Sequence, residues 1–350
     1  MRRNLAAVAF GILVAVLLSE GLLRLVASKE RQAFTYDLME FSQFDPWLGW
    51  SGKPGAEDVL VRRDAYRTMV SLNSRGLRDR EHGQKVGTRA LCLGDSFTWG
   101  LGVEHGETWP AALRSEASVE TVNAGVCGWG TTQELLWLRR EGFSYDPDVV
   151  VLGFFLNDFA DNASSSAMGY RRPVYALEGG RLVLRGVPIS GPRSAVMTFA
   201  LNRMATLRLL VAGWEWFDRG FLRDSDAAPI RRAQLRDHDS VEPPQAEAET
   251  GAIIDETRRL CEERGIRFLV LAIPSDCQVR PAAPRACREH DETLYAALIR
   301  LCSADGIAVV EPLAALRAAE AAGIPTYSEH WNAAGHRIAA RAVAAALLRK

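Results

Sequence analysis

Residues 88–102 read TRALCLGDSFTWGLG. The apolar run Ala90–Leu93 stops at Gly94, and a small acid and a hydroxyl, Asp95 and Ser96, follow before aromatic residues and further glycines. A short run that is apolar on both faces reads as a strand buried in a parallel sheet. The glycine and small polar residues at its end read as a turn into a helix.

The same unit recurs along the chain. Helix-period segment GETWPAALRSEA (106–117) leads into strand VETVNAG (119–125), and TTQELLWLRREGF (131–143) leads into DVVVLGFFLND (148–158). Towards the C-terminus, IIDETRRLCEERG (253–265) precedes IRFLVLAIPS (266–275), ETLYAALIRLCSADG (292–306) precedes IAVVEP (307–312), and NAAGHRIAARAVAAALLRK (332–350) closes the chain. Two-faced apolar strands alternating with helices predict an α/β fold, a three-layer sandwich with a mainly parallel sheet.

The main domain is expected over residues 87–350, with an insertion at about 163–250. The insertion reads as a hairpin, PVYALEGGRLVL with EGG at its turn, then an amphipathic helix (199–217) and a polar link (224–249). Residues 31–86 read as an extended arm with short strands that packs on the main domain.

The first thirty residues differ from the rest. Arg2 and Arg3 precede the uncharged stretch Leu5–Leu18, and a second apolar patch follows at Gly21–Leu23. Counted through Val26 the segment is about 22 residues, close to the ~20 that span a bilayer. Glu20 and Arg24 are spaced to pair across one helical turn. A cleaved signal peptide is the alternative, but no A-x-A-like site follows the apolar core. The expectation is a single-pass N-terminal transmembrane anchor over residues 1–30. Basic residues before the span then leave the rest of the chain outside the cytoplasm.

Charge and cysteines narrow the function. A net charge of -1 and a pI near 6.6 give no reason for a nucleic-acid partner. Six cysteines match no zinc spacing, so a metal is not expected, and nothing else in the sequence implies a cofactor. Cys277 and Cys287, in a Pro-rich loop, are the pair to bridge if the chain is exported, with buried free thiols as the alternative.

In a parallel α/β sheet, ligands bind beyond the carboxyl ends of the strands. The unusual polar residues fall there: Gly94-Asp95-Ser96, then Asn123 through Gly128, then Asn157-Asp158, with Ser328-Glu329-His330-Trp331-Asn332 before the last helix. Asp95-Ser96 suits an ordinary helix cap as well as a nucleophile beside amide donors. A nucleophile also needs a base, and His330 sits at the right end of the chain.

These blocks in this order, GDSFTWG, the glycine of CGWG, NDFADN and HWNAAGH, resemble the SGNH (GDSL) hydrolase family, in its membrane-anchored bacterial form. The resemblance covers about residues 88–350 apart from the insertion. It implies Ser96 as nucleophile, His330 as base, and an oxyanion hole formed by the Ser96 N–H, the Gly128 N–H and the Asn157 amide. Gly125 or Gly130 is an alternative to Gly128, and His336 to His330. Asp95 and Asp158 read as loop holders, and Trp99, Trp129 and Trp331 as core residues or the floor of an acyl or sugar pocket.

One part of the pattern is missing. The family places an aspartate two or three residues before the histidine, where this chain has Ser328 and Tyr327. Three arrangements are open: Glu329 supplies the acid, Ser328 or a backbone carbonyl orients the ring of a Ser-His dyad, or activity is weakened. The resemblance implies an extracytoplasmic serine hydrolase cleaving acyl or acetyl esters of a small molecule or polysaccharide. An O-acyltransferase on envelope or secreted polysaccharide is the alternative, and a non-catalytic carbohydrate-binding protein a second one.

Overall fold

The computed structural model describes residues 41–62, 65–167, 170–190, 243–280 and 282–349, together with Gly11, Val14, Ala15 and Leu18–Glu20. Two hairpins come first, β1 (Ser42–Asp45) with β2 (Gly49–Gly52) and β3 (Glu57–Arg62) with β4 (Tyr66–Ser71). The alternation follows with β5 (Arg89–Gly94), α1 (Ser96–Trp99), α2 (Trp109–Ala117), β6 (Glu120–Gly125), α3 (Thr131–Arg140), β7 (Val149–Phe155) and α4 (Asp158–Ala163). Two short antiparallel pairs come next, β8 (Ser166–Ala167) with β9 (Tyr170–Arg171) and β10 (Val174–Glu178) with β11 (Arg181–Arg185). The chain finishes with α5 (Pro243–Glu262), β12 (Arg267–Ile273), α6 (Asp276–Val279), α7 (Arg285–Ala304), β13 (Ala308–Val310), α8 (Leu313–Ala321) and α9 (Ala333–Leu348).

The five strands expected from the sequence form one parallel sheet in the order β13-β12-β7-β5-β6. Successive residues of each strand face opposite layers. Leu91, Leu93, Val150, Leu152, Val270 and Ala272 pack with residues of α3, α5 and α7. Ala90, Cys92, Val149, Val151, Leu269 and Leu271 pack with residues of α2, α8 and α9. Both faces are therefore covered, which is why the strands carry no polar alternation.

The described residues within 41–189 and 243–349 make one compact unit, the two N-terminal hairpins included. Buried Arg78 donates to the carbonyls of Trp99, Gly100 and Val103 and lies 4.5 Å over the Trp99 ring. Asp79 accepts from the Asn123 N–H, His82, His105 and Arg114. Burial alone would raise the Asp79 carboxyl, but the bonds from His105, His82 and Asn123 outweigh it and hold it well below the usual range.

Two features differ from the sequence reading. Helix α5 begins at Pro243, ten residues before Ile253, and takes up the end of the segment read as a polar link. Its buried face runs through Ala246, Glu249, Thr250, Ile253 and Thr257, a helical spacing whose polar members hide it from a hydropathy pattern. Helix α8 was not expected, because among its small alanines Leu316 is the large buried residue. The hairpin expected within the insertion is present, and β10–β11 turns on Gly179 and Gly180 with φ of 56° and 79°. Two successive positive φ angles make the primed turn that matches strand twist.

The expected amphipathic helix of the insertion, the link as far as residue 242 and most of the expected N-terminal anchor lie outside the described residues. Among the described residues no helix is long and apolar enough to cross a membrane.

The site rests on a row of glycines. Gly94 pairs in register with Gly125 on one side and with Gly153 on the other. A Cβ at Gly125 would lie 2.3 Å from the Trp99 nitrogen, and one at Gly153 would lie 2.5 Å from Thr98 Oγ1. At Gly94 it would meet Thr98 Oγ1 at 2.1 Å. Helix α1 thus sits directly on the ends of three adjacent strands. Gly125→Ala puts a methyl against backbone that cannot yield, so it should destabilise by roughly 1–3 kcal/mol, seen as a lowered Tm. An unchanged Tm would show that α1 can lift without cost.

Candidate active site

Ser96, Gly128 and Asn157 follow the carboxyl ends of β5, β6 and β7, three neighbours in the sheet. Adjacent strands are about 4.8 Å apart, so this order alone brings the three loops together. Asp95 caps α1, its Oδ1 accepting from the Phe97 N–H at 2.9 Å, and so fixes the turn that presents Ser96. The capping reading of Asp95-Ser96 therefore falls on Asp95.

His330 comes from the other end of the chain. The loop between α8 and α9 folds into a tight reverse turn bridged between Tyr327 and Trp331, with the Ser328 N–H donating to the His330 carbonyl at 2.9 Å. Arg280 Nη2 donates to the Tyr327 carbonyl at 2.9 Å, and the Tyr327 hydroxyl donates to the Pro274 carbonyl. Asn332 Oδ1 then caps α9 by accepting from Ala334 and Gly335. The result is a contact of 2.8 Å between Ser96 Oγ and His330 Nε2.

The remaining candidates separate by position. Gly128 has φ +76°, a left-handed conformation that favours glycine, whereas Gly125 lies under α1 and Gly130 precedes α3 against Asp161 and Asn162. Asn157 begins α4, and its Nδ2 donates to Asp161 Oδ2 at 2.7 Å. His336 is buried, and its Nδ1 accepts from the Trp109 N–H at 3.1 Å, a structural bond inside the core. Trp99, Trp129 and Trp331 are all buried, which matches core packing rather than an open pocket floor.

Glu329 does not orient His330. Its carboxylate pairs instead with Arg62 Nε at 2.7 Å, the reverse turn directing the neighbouring Glu329 and His330 side chains to different partners. Among the described residues His330 Nδ1 is buried with no hydrogen-bond partner. When Nε2 accepts the Ser96 proton, the neutral ring carries its own proton on Nδ1, so nothing answers that donor. Packing does the orienting here: the Phe97 ring centroid lies 4.7 Å from that of His330, and Phe97 in turn meets Phe155 and Trp331. The arrangement is a Ser-His pair set by shape.

Electrostatics points the same way. Burial, with the Arg62 charge adding to it, lowers His330 to about 4. Beneath the site, burial and mutual proximity push Asp95, Glu134 and Asp158 up. Two features were not read from the sequence. Arg62, in an arm segment with no motif, stands next to the base, and Asp161 lies one helical turn after Asn157. The i, i+4 spacing within NDFADN was the available signal for Asp161.

The base must be neutral to take a proton, so a lowered pKa extends activity downward: kcat/KM for an acetyl ester should fall with a midpoint near pH 4. Arg62→Gln removes a charge that opposes the imidazolium, and its midpoint should lie higher. An acid limb near the ordinary histidine value in the unaltered protein would contradict the buried site. Ser96→Ala and His330→Ala should each abolish turnover, while Glu329→Gln should keep it within about threefold, since Glu329 contacts Arg62 and not the ring. Equal loss in all three would make Glu329 the orienting acid.

Residues 92–338 match the model of the GDSL-like lipase/acylhydrolase family. No curated protein sequence matches the chain. Among solved structures the chain is similar to LAE5, an alpha/beta hydrolase enzyme from the metagenome of Lake Arreo, Spain, at 16% identity and a TM-score of 0.41, covering 76% of this chain and 99% of that one. It is also similar to Axe2, an acetylxylan esterase from Geobacillus stearothermophilus, at 14% identity and a TM-score of 0.43, covering 76% and 96%. A third is the acetyl xylan esterase AlAXEase, at 12% identity and 0.42, covering 74% and 100%.

Proposed function

Because the chain belongs to the GDSL-like lipase/acylhydrolase family and is an ester-hydrolysing enzyme, we propose that it works through an acyl-serine intermediate on Ser96, outside the cytoplasm and held to the membrane by its N-terminal segment. The observation that carries the mechanism is the 2.8 Å contact between Ser96 Oγ and His330 Nε2. His330 takes the Ser96 proton as Oγ attacks the acyl carbon, and returns it to the alcohol as the ester C–O bond breaks. Water, deprotonated by the same ring, then releases the acid and frees Ser96.

Two N–H groups, of Ser96 and Gly128, and the Asn157 amide are the donors for the oxyanion, each contributing roughly 3 kcal/mol to lowering the barrier. Among the described residues no acid bonds the His330 ring to stabilise the imidazolium. In serine proteases loss of that carboxylate costs about 10⁴ in turnover and still leaves catalysis well above water, so slow turnover is the expected signature. A sugar hydroxyl taking the place of water would make the same acyl-enzyme an O-acyltransferase for polysaccharide.

Two observations support the location. Arg2 and Arg3 precede an apolar stretch long enough to anchor, and Cys277 is bridged to Cys287. The other four cysteines, Cys92, Cys127, Cys261 and Cys302, are buried free thiols.

Detergent-solubilised full chain should form a fluorophosphonate adduct that Ser96→Ala lacks, and should release p-nitrophenol from the acetyl ester. No Ser96-dependent adduct would refute the serine mechanism and favour the binding-protein reading. Added oligosaccharide that receives the acyl group instead of water would identify the transferase. Alkaline phosphatase fused after Lys350 should be active, and an inactive fusion would place the domain in the cytoplasm.

A further inference from the structure

The insertion that interrupts the alternation contributes one buried charge to the site, Arg172, between β9 and β10. Its three nitrogens reach three partners, two on helix α4 and its C-terminal cap and one on the loop after β6. Nη2 pairs with Asp161 Oδ1 at 2.6 Å, Nε donates to the Ser164 carbonyl at 2.9 Å, and Nη1 lies 3.4 Å from the Gly128 carbonyl. The other oxygen of Asp161 accepts from Asn157 Nδ2 at 2.7 Å. One guanidinium therefore touches Gly128 directly and Asn157 through a single carboxylate.

We propose that Arg172 and Asp161 are positioning residues, a clamp that fixes the spacing and orientation of the two oxyanion donors contributed by Gly128 and Asn157. The inference rests on the acyl-serine reading of the site.

Asparagine has two ends that differ only in what they bond. Rotating the Asn157 amide by half a turn would set its Oδ1 against the Asp161 carboxylate, oxygen against oxygen at hydrogen-bond distance. The ion pair with Arg172 keeps that carboxylate aimed, so the donor end stays where it is and one N–H of Nδ2 remains for the substrate. Preorganised donors are what an oxyanion site requires, because no reorganisation is then left for the moment of reaction. Asp161 accepts on both sides, from a cation and from an amide. An asparagine in its place cannot do both, since its own NH₂ would face either the Arg172 guanidinium or the Asn157 amide, donor against donor.

The test is a double-mutant cycle on p-nitrophenyl acetate, with Asp161→Asn made in the natural chain and in Asn157→Ala. Acting through Asn157, Asp161→Asn should lower kcat by about tenfold to a hundredfold with KM within about threefold, and the effect should shrink to under about threefold in the Asn157→Ala background. An equal loss in both backgrounds, or a change confined to KM or Tm, overturns the clamp. If Asp161→Asn fails to fold, Arg172→Gln, which keeps a neutral donor for Asp161, should show the same dependence on Asn157 with a smaller loss, and independence overturns the proposal. Absence of Ser96-dependent turnover in the unaltered chain overturns the acyl-serine reading and the clamp with it, whereas turnover with no coupling overturns the clamp alone.

Discussion

The structure depends on how closely α1 approaches the sheet. Three glycines in one row, on three adjacent strands, let a four-residue turn lie where a side chain would otherwise stand. A parallel sheet covered on both faces offers few places where a hydroxyl meets solvent, and the strand ends are where such places occur. With the turn seated on the glycines, the position of Ser96 follows from the backbone beneath it. The rest of the site is arranged around this proposed nucleophile.

The second half of the pair is held differently. His330 is delivered by a short reverse turn, fixed by Tyr327, Trp331 and Arg280, and its ring lies against Phe97, a residue of α1 itself. The nucleophile's turn therefore also supplies the wall for the base. Shape here takes over a task that a carboxylate performs in most serine hydrolases. It supplies orientation but not charge: packing cannot stabilise an imidazolium, which burial and Arg62 oppose. Glu329, the nearest acid in sequence, is engaged with Arg62 and balances that charge at the rim.

The same division appears across the oxyanion loops. Gly128 is placed by backbone conformation, and Asn157 by a side-chain network that ends at a buried arginine from the insertion. A buried ion pair is a costly device unless every hydrogen bond is met. Arg172 meets three carbonyl or carboxylate partners, so the insertion is joined to the chemistry and not merely appended to the fold.

Hydrophobic pattern determined the α/β alternation, its five strands and most of the helices that cover them, because each strand is apolar on both faces and most breaks carry glycine or proline. Ser96, Gly128, Asn157 and His330 stood out because they lie at strand and helix ends, and the roles proposed for them came from the family resemblance. Only the tertiary structure decided what lies between them. The start of α5 at Pro243 was hidden because Glu249 and Thr250 are buried polar residues, and α8 because its alanines carry little pattern. That Glu329 turns to Arg62, that Phe97 steadies the base, and that Arg172 reaches Asp161 and Gly128 are contacts between residues far apart in the chain or turned away by local geometry. Residue order records which groups are present at a strand end, and three-dimensional packing alone settles which of them touch.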